Sequence, residues 1–311
     1  MKAAQVTSYE SPPEFTDIDD PAGGEGMDLV DVEVAGLNPI DLAIASGKFD
    51  AGAPPLPYVP GREGIGTTPD GRRIWFDGPA FPYGSMAEVV PVPSGTGIVV
   101  PDGIDSADAL AFGIAGMAAW LSLQWRGGLK AGETVLVLGA SGSVGQIAIQ
   151  AAKLMGAGRV VGAARSQSGR ELVKELGADE VVDTGDEDFT PRIQGAAGGG
   201  VDLIIDNLWG EPAAKALLAL NVKGRLIQVG NSAGKESPVK AGPLRGVAGS
   251  ILAHRNFHAP LETQEAAFER MCRHFMDGEL KIEVENVALE DVAEAWQRQA
   301  ASPGHKLVLR P

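Results

Sequence analysis

The sequence predicts an α/β protein: a doubly wound parallel sheet joined to a β-rich part. Between 133 and about 229, near-continuous apolar strands alternate with helices, which is the pattern of a parallel sheet covered on both faces. Residues 1–110 differ; they are rich in Pro, Gly, Val and Asp, with short β-like runs between turn signals. The length of 311 residues suits two domains better than one.

The elements follow in order. Strands are expected at 29–34, 73–76, 86–92 and 97–100, punctuated by turns at 21–26, 53–60, 70–71 and 81–84. Ser106 is placed to cap a helix, and 113–123 continues in small and apolar residues. Next come strands at 134–138, 160–164, 180–182, 203–206 and 225–229, with helices at 143–155, 168–176 and 212–220. The tail reads as helices at 261–278 and 290–301 and a closing strand at 306–309. No internal repeat is present.

Composition removes several classes. With 26 Lys and Arg against 41 Asp and Glu the net charge is −15, which argues against nucleic-acid binding. The single cysteine, Cys272, precludes a disulfide within the chain and a cysteine-based structural zinc site. No apolar run reaches the ~18 residues of a membrane span, and the opening MKAAQVTSYESPPEF lacks a signal-peptide core, so a cytoplasmic location is expected.

The most informative stretch is VLVLGASGSVGQIAIQAAKLMGA (135–157). Its centre, Ala140-x-Gly142-x-x-Gly145, is a dinucleotide fingerprint with Ala in place of the first Gly. Gly142 lets a pyrophosphate approach the backbone, and Gly145 lets the helix pack closely on the strand. The N–H groups of the Ser141, Ser143 and Val144 region then face phosphate oxygens. The alternative is a tight turn and nothing more. The next strand ends Gly162-Ala163-Ala164-Arg165-Ser166, where an NAD site would offer a carboxylate to the ribose. Arg165, Ser166 and Arg170 instead suit a 2′-phosphate, hence NADPH; the alternative is a solvated arginine at a strand end.

These motifs, with AGLNPIDLAIASGKF (35–49), LPYVPGREGIG (56–66), GSMAEVVPVP (84–93), ALAFGIAGMAAWLSL (109–123), VDLIIDNLWG (201–210), GRLIQVGNSAG (224–234) and GHKLVLRP (304–311), carry a resemblance over nearly the whole chain. It resembles the zinc-free branch of the medium-chain dehydrogenases/reductases, and within it the NADPH:quinone oxidoreductases related to zeta-crystallin. The resemblance implies a GroES-like substrate domain from 1–110 and 250–311, with a Rossmann NADP-binding domain at 111–249. It implies NADPH in the cleft, hydride transfer to an electrophilic acceptor, and a homodimer joined at the edges of the nucleotide sheets. Residue by residue, it places Asn38 and Asp41 on the nicotinamide side, Tyr58 beside the substrate, and Val229, Gly230 and Asn231 against ribose and nicotinamide.

The departures are informative. Zinc alcohol dehydrogenases carry Cys at the position of Asn38, and His at the position of Arg62, just before Glu63. Zinc needs about four N, S or O ligands, so a metal-free site is expected. Phe49 stands where relatives often have Tyr, Ala118 where they often have Thr, and the hairpin GTTPDGRRIWFDG (66–78) is short.

Hydride transfer asks little of the side chains beyond a donor to the acceptor's oxygen, and Tyr58 and Asn38 are the candidates. Their structural alternatives are a core tyrosine and a turn residue before Pro39. His254 and His258 are read as strand and loop, His274 as surface. His305 and Lys306 are read as solvated, with the cofactor phosphates as the alternative. Asp183, Asp186, Glu187 and Asp188 read as a solvated loop. Trp209 and Trp296 read as packing anchors, and Trp75 as a core residue or a substrate wall. Three functions remain open: an NADPH-dependent quinone reductase, a reductase of enones, alkenals or enoyl thioesters, and a non-catalytic NADPH-binding protein. The acceptor is set by loops 49–57, 66–78 and 231–249, which the pattern does not resolve.

Overall fold

The computed structural model describes residues 1–49 and 52–311; part of the 49–57 loop thus lies outside the described residues. The chain forms two compact units. One comprises Met1–Ile114, Phe268–Met276 and Ile282–Pro311, the other Ala115–Ala267 and Asp277–Lys281. They are the GroES-like and Rossmann halves of the expected α/β architecture.

The nucleotide unit holds six parallel strands. Across the sheet they run Glu180–Asp183, Arg159–Ala164, Thr134–Leu138, Val201–Asp206, Leu220–Gln228 and Ser250–Ala253. Strand order reverses between Thr134–Leu138 and Val201–Asp206, so the carboxyl ends of those two strands form the switch point where open sheets of this kind bind ligands. Their Val, Leu and Ile residues at 135–138 and 203–205 are fully buried, as strands covered on both faces must be. On one face Leu136, Leu138 and Ile204 share a core with Phe189, Ile193, Ala213 and Ala216 of helices Phe189–Ala197 and Gly210–Ala216.

Several expectations change here. The expected domain boundary at 250 differs, because Ser250–Ala253 is the sixth strand of this sheet, paired with Leu220–Gln228. The helix expected at 212–220 is shorter, since Leu220 already begins a strand. Helix Phe189–Ala197 was not foreseen; Pro191 and Gly195 hide its period. Asp105, not Ser106, caps Ser106–Leu110 through Ala107 N–H, while Ser106 donates to Glu33. The stretch Ser106–Arg126 is long and apolar enough to cross a membrane by length and composition, contrary to expectation, but 89% of its window is buried inside the protein, as in a core helix.

In the β-rich unit the main sheet runs Val284–Ala288, Lys306–Arg310, Met27–Leu37, Glu63–Thr67, Arg73–Asp77 and Ile98–Val99, with Val89–Pro93 also on Met27–Leu37. Chain ends meet at its centre. Leu307 pairs with Leu37, which brings Lys306 beside Asn38 across 268 residues of sequence. Glu63 opens the strand on the other side of Met27–Leu37.

Candidate functional site

Asn38 ends the Met27–Leu37 strand and precedes helix Pro39–Ala45; its extended φ and ψ and the following Pro39 suit a helix entry. Its side chain is fixed at both ends. Nδ2 donates to Glu63 Oε1 at 2.9 Å, and Oδ1 accepts from Lys306 Nζ at 2.6 Å. Lys306 Nζ also donates to Glu63 Oε1 at 2.7 Å. The ion pair is almost wholly removed from water, with side chains 2% and 0% exposed.

Glu63 Oε2 accepts from Trp75 Nε1 at 3.0 Å and from Ile114 N–H at 2.7 Å. Room for this carboxylate comes from Gly36 and Gly113, where a Cβ would lie 2.6 and 2.2 Å from its oxygens. Burial would raise the Glu63 pKa, but the Lys306 charge and the surrounding donors overcome it, and the carboxylate is held below its ordinary range. Lys306 is therefore not solvated, and Trp75 is a core residue that serves Glu63 and stacks on Phe268.

Asp41 is 3% exposed. Its Oδ2 accepts from Asn38 N–H and its Oδ1 from Arg62 N–H, so it secures the turn carrying Asn38. Burial pushes its pKa up to about 7, against the lowering effect of those donors and of Lys306. Tyr58 packs among Val6, Leu37 and Met86, but its buried hydroxyl has no hydrogen-bond partner among the described residues. Burial raises its pKa to about 12, so it is a phenol and a donor near neutral pH. A cavity of about 180 Å³ is lined by Tyr58, Asp41, Arg62, Ile44, Phe81 and Tyr83. Arg62 Nε lies 2.8 Å from Asp77 Oδ1, close enough for an ion pair though poorly aligned for a hydrogen bond.

In the nucleotide unit, Thr134–Leu138 leads through the glycine junction into helix Ser143–Leu154. Gly142 occupies the N-cap without a side-chain cap, leaving the first-turn N–H groups near Ser143 and Val144 open to a ligand. It is exposed, and a Cβ there would meet nothing nearer than Gly139 O at 3.7 Å. Gly145 is the opposite case: a Cβ would lie 2.4 Å from Gly139 O and 2.5 Å from Ala140 Cα. The arrangement fits an anion at the helix start and a helix pressed onto its strand.

The three residues expected around a 2′-phosphate are not equivalent. Arg165 is exposed at the end of Arg159–Ala164 and forms no ion pair among the described residues. Ser166 is the N-cap of helix Gln167–Glu175, accepting from Gly169 N–H, and keeps its own hydroxyl proton for donation. Arg170 is engaged with Asp183 and with the carbonyls of Ala164 and Arg165, so it is not a free cation. The expected solvated acidic loop is likewise partly paired: Asp186 and Asp188 both meet Arg192.

Val229 and Gly230 donate their N–H groups to Asp206 O at 2.8 and 3.1 Å, which joins the ends of two neighbouring strands; Asn231 is exposed just beyond. Asp206 is a residue the sequence reading passed over. Its Oδ1 accepts from Leu208 and Trp209 N–H, holding Trp209 at φ 56°, while Oδ2 is buried without a partner among the described residues. Burial raises its pKa to about 6. A carboxyl raised on folding stabilises the fold fully below its unfolded pKa and loses that contribution as pH rises through the folded value. Between pH 4 and pH 7 the protein is thus expected to lose about 2 kcal/mol of stability through this group. Urea unfolding at both pH values checks this; an Asp206→Asn variant that kept the wild-type pH slope would contradict it.

A larger hollow of about 380 Å³ lies at the opposite, amino ends of the parallel strands, near Lys130, Glu133, Asp202, Lys223 and Arg225. Arg225 is consumed there by Glu133 and the Gly127 carbonyl, and parallel sheets bind ligands at the other end. The described residues hold no cluster of three His, Cys, Asp or Glu able to bind a metal ion. His254 is buried, and burial lowers its pKa to about 4; it follows strand Ser250–Ala253, while His258, expected in a loop, ends the short 3-10 helix Asn256–His258.

A family described as zinc-binding dehydrogenase matches residues 143–266. The rat quinone oxidoreductase is 32% identical over 244 residues, 74% of this chain and 73% of that protein. Mouse prostaglandin reductase-3 is 29% identical over 280 residues, 85% of this chain and 73% of that protein. Mycobacterial Rv1454c, solved in complex with NADPH, superposes with a TM-score of 0.87 at 28% identity, covering 100% of both chains. Together with the switch-point glycine junction and the shared two-unit fold, these likenesses establish that the chain belongs to the quinone oxidoreductase-like branch of the medium-chain dehydrogenase/reductase family.

Proposed function

We propose that the protein is an NADPH-dependent reductase of quinones. The observation that carries this reading is the open, uncapped helix start at Gly142 with Arg165 exposed one strand away and no carboxylate in its place. Ser141, Gly142, Ser143 and Val144 hold the pyrophosphate; Arg165 and Ser166 hold the 2′-phosphate, with Arg170 kept beside them by Asp183. Val229, Gly230 and Asn231 take the nicotinamide end. When bound, NADPH supplies two electrons and a hydrogen as hydride, which with one solvent proton converts a quinone to a hydroquinone.

The β-rich unit orients the acceptor. Asn38 and the Tyr58 hydroxyl are the donors that stabilise negative charge arising on its oxygen. The aromatic wall of the cavity and its volume of about 180 Å³ favour a single planar ring. The charges of this region, Lys306 and Arg62 against Glu63, Asp77 and a partly protonated Asp41, leave no net positive charge. A neutral carbonyl acceptor suits it better than a carboxylate. The same donors would serve an enone, which is the second reading and the one suggested by the likeness to prostaglandin reductase-3. Turnover with 1,4-benzoquinone against 2-cyclohexenone, followed by NADPH oxidation, separates the two.

Arg165→Ala is expected to weaken NADPH binding by about tenfold or more while leaving NADH binding nearly unchanged. Parallel fluorescence titrations check it, and equal losses for both nucleotides would remove the phosphate role. We further place the enzyme in the cytoplasm as a homodimer paired along Ser250–Ala253, the last strand of the parallel sheet. Light scattering is expected to give twice the chain mass; a monomer at micromolar concentration would refute the pairing.

A further inference from the structure

The Asn38 amide, proposed above as a donor to the acceptor, has an unusual setting. An ammonium, almost fully buried, sits on its oxygen, and a fully buried carboxylate accepts one of its two Nδ2 hydrogens. The geometry leaves the amide one orientation. Exchanging Nδ2 and Oδ1 would set the amide oxygen against Glu63 and the NH2 group against Lys306, each a repulsive contact. The second Nδ2 hydrogen has no role in this network. A cation at an amide oxygen draws electron density from the nitrogen and strengthens its remaining N–H as a donor.

Resting on the function proposed above, we infer that Lys306 is a positioning residue that orients and polarises the Asn38 amide, making its second Nδ2–H the donor to the acceptor's oxygen, with Glu63 as the counter-charge that keeps Lys306 buried. As hydride reaches the acceptor, negative charge gathers on that oxygen and the amide N–H stabilises it; solvent then supplies the proton. Nothing in the arrangement requires Lys306 to change protonation state during turnover.

The test uses the full chain and three variants: Lys306→Arg, Glu63→Gln and Lys306→Met/Glu63→Gln. Each is measured for thermal unfolding, NADPH affinity by fluorescence, kcat and KM with 1,4-benzoquinone from about pH 6 to 9, and the Asn38 side-chain amide resonance. The double variant replaces both buried charges, so it is expected to fold and to bind NADPH as the wild type does. Its kcat is expected to fall by about tenfold or more with little change in KM, because the lost interaction belongs to the transition state. Its Asn38 amide proton resonance moves upfield. Lys306→Arg keeps a cation at Oδ1 and retains kcat within about threefold.

Glu63→Gln retains its rate at low pH and loses it as pH rises, because a buried ammonium without its counter-charge gives up its proton more readily. The double variant, lacking that ammonium, shows no such alkaline loss. A double variant with wild-type kcat and an unmoved amide resonance would overturn the inference. So would a Glu63→Gln variant whose rate falls as far as the double variant's at every pH, since the pair would then act only as scaffolding. Should Glu63→Gln not fold, the double variant and Lys306→Arg decide the matter alone. If the wild type binds NADPH but reduces no acceptor, the proposed function fails instead, and the amide resonance still reports whether Lys306 polarises Asn38.

Discussion

Lys306→Met is expected to lower the unfolding free energy by about 3–5 kcal/mol, the usual consequence of removing one partner from a fully buried ion pair. Methionine replaces the aliphatic stem well enough, so the loss is not one of packing. It comes from Glu63, which keeps its place at 0% exposure with no charge to answer it. The donors from Asn38, Trp75 and Ile114 remain and soften the loss without removing it. Without Lys306 the Glu63 pKa rises, so the deficit is greatest at high pH and shrinks as the carboxyl takes up a proton in acid. In the wild type the sign is reversed: Glu63 is held below its ordinary pKa, and its contribution is lost only as pH falls through that depressed value. Lys306→Met/Glu63→Gln is expected to recover most of the loss. Urea unfolding of both variants at neutral and acid pH checks the prediction. A single variant within about 1 kcal/mol of wild type at neutral pH would show that the pair carries little coupling.

The nucleotide half was legible because its signals are local. A strand, a glycine junction and a helix lie within the same 23 residues, and Gly142 and Gly145 fall where the fingerprint needs them. Apolar strands at 134–138 and 203–206 are recognisable because a parallel sheet buries both faces. The β-rich half was less legible because its central feature is assembled from distant segments. Asn38 and Lys306 meet only through the pairing of Met27–Leu37 with Lys306–Arg310, and no window around KLVLR shows which face of the strand the lysine takes. The one available signal was the lysine itself, set at the head of an apolar run where a solvated residue is out of place. Arg170 illustrates the converse. Its spacing from Arg165 suggested a second phosphate ligand, yet Asp183, expected in a solvated loop but in fact the last residue of strand Glu180–Asp183, holds it. Pairing between a helix side chain and the end of the following strand depends on how the two pack, which spacing does not encode.

The two glycines of the junction are expected to respond in opposite ways to substitution, with large effects on different properties. At Gly145 a Cβ would press on backbone atoms of Gly139 and Ala140, which cannot rotate aside as a side-chain tip can. Gly145→Ala therefore forces helix Ser143–Leu154 away from its strand and is expected to cost on the order of 3 kcal/mol of stability. At Gly142 the space is open and the backbone, at φ −79° and ψ 164°, accepts any residue. Gly142→Asp supplies the side-chain cap this helix lacks, so stability should hold or rise by a few tenths of a kcal/mol. The same carboxylate occupies and charges the place where the pyrophosphate must lie, and NADPH affinity is expected to fall by about 100-fold or more. Thermal unfolding and fluorescence titration of the two variants, run side by side, test both statements. A Gly142→Asp protein that bound NADPH as the wild type does would remove the phosphate from this helix start, and with it the assignment of every cofactor contact that depends on that placement.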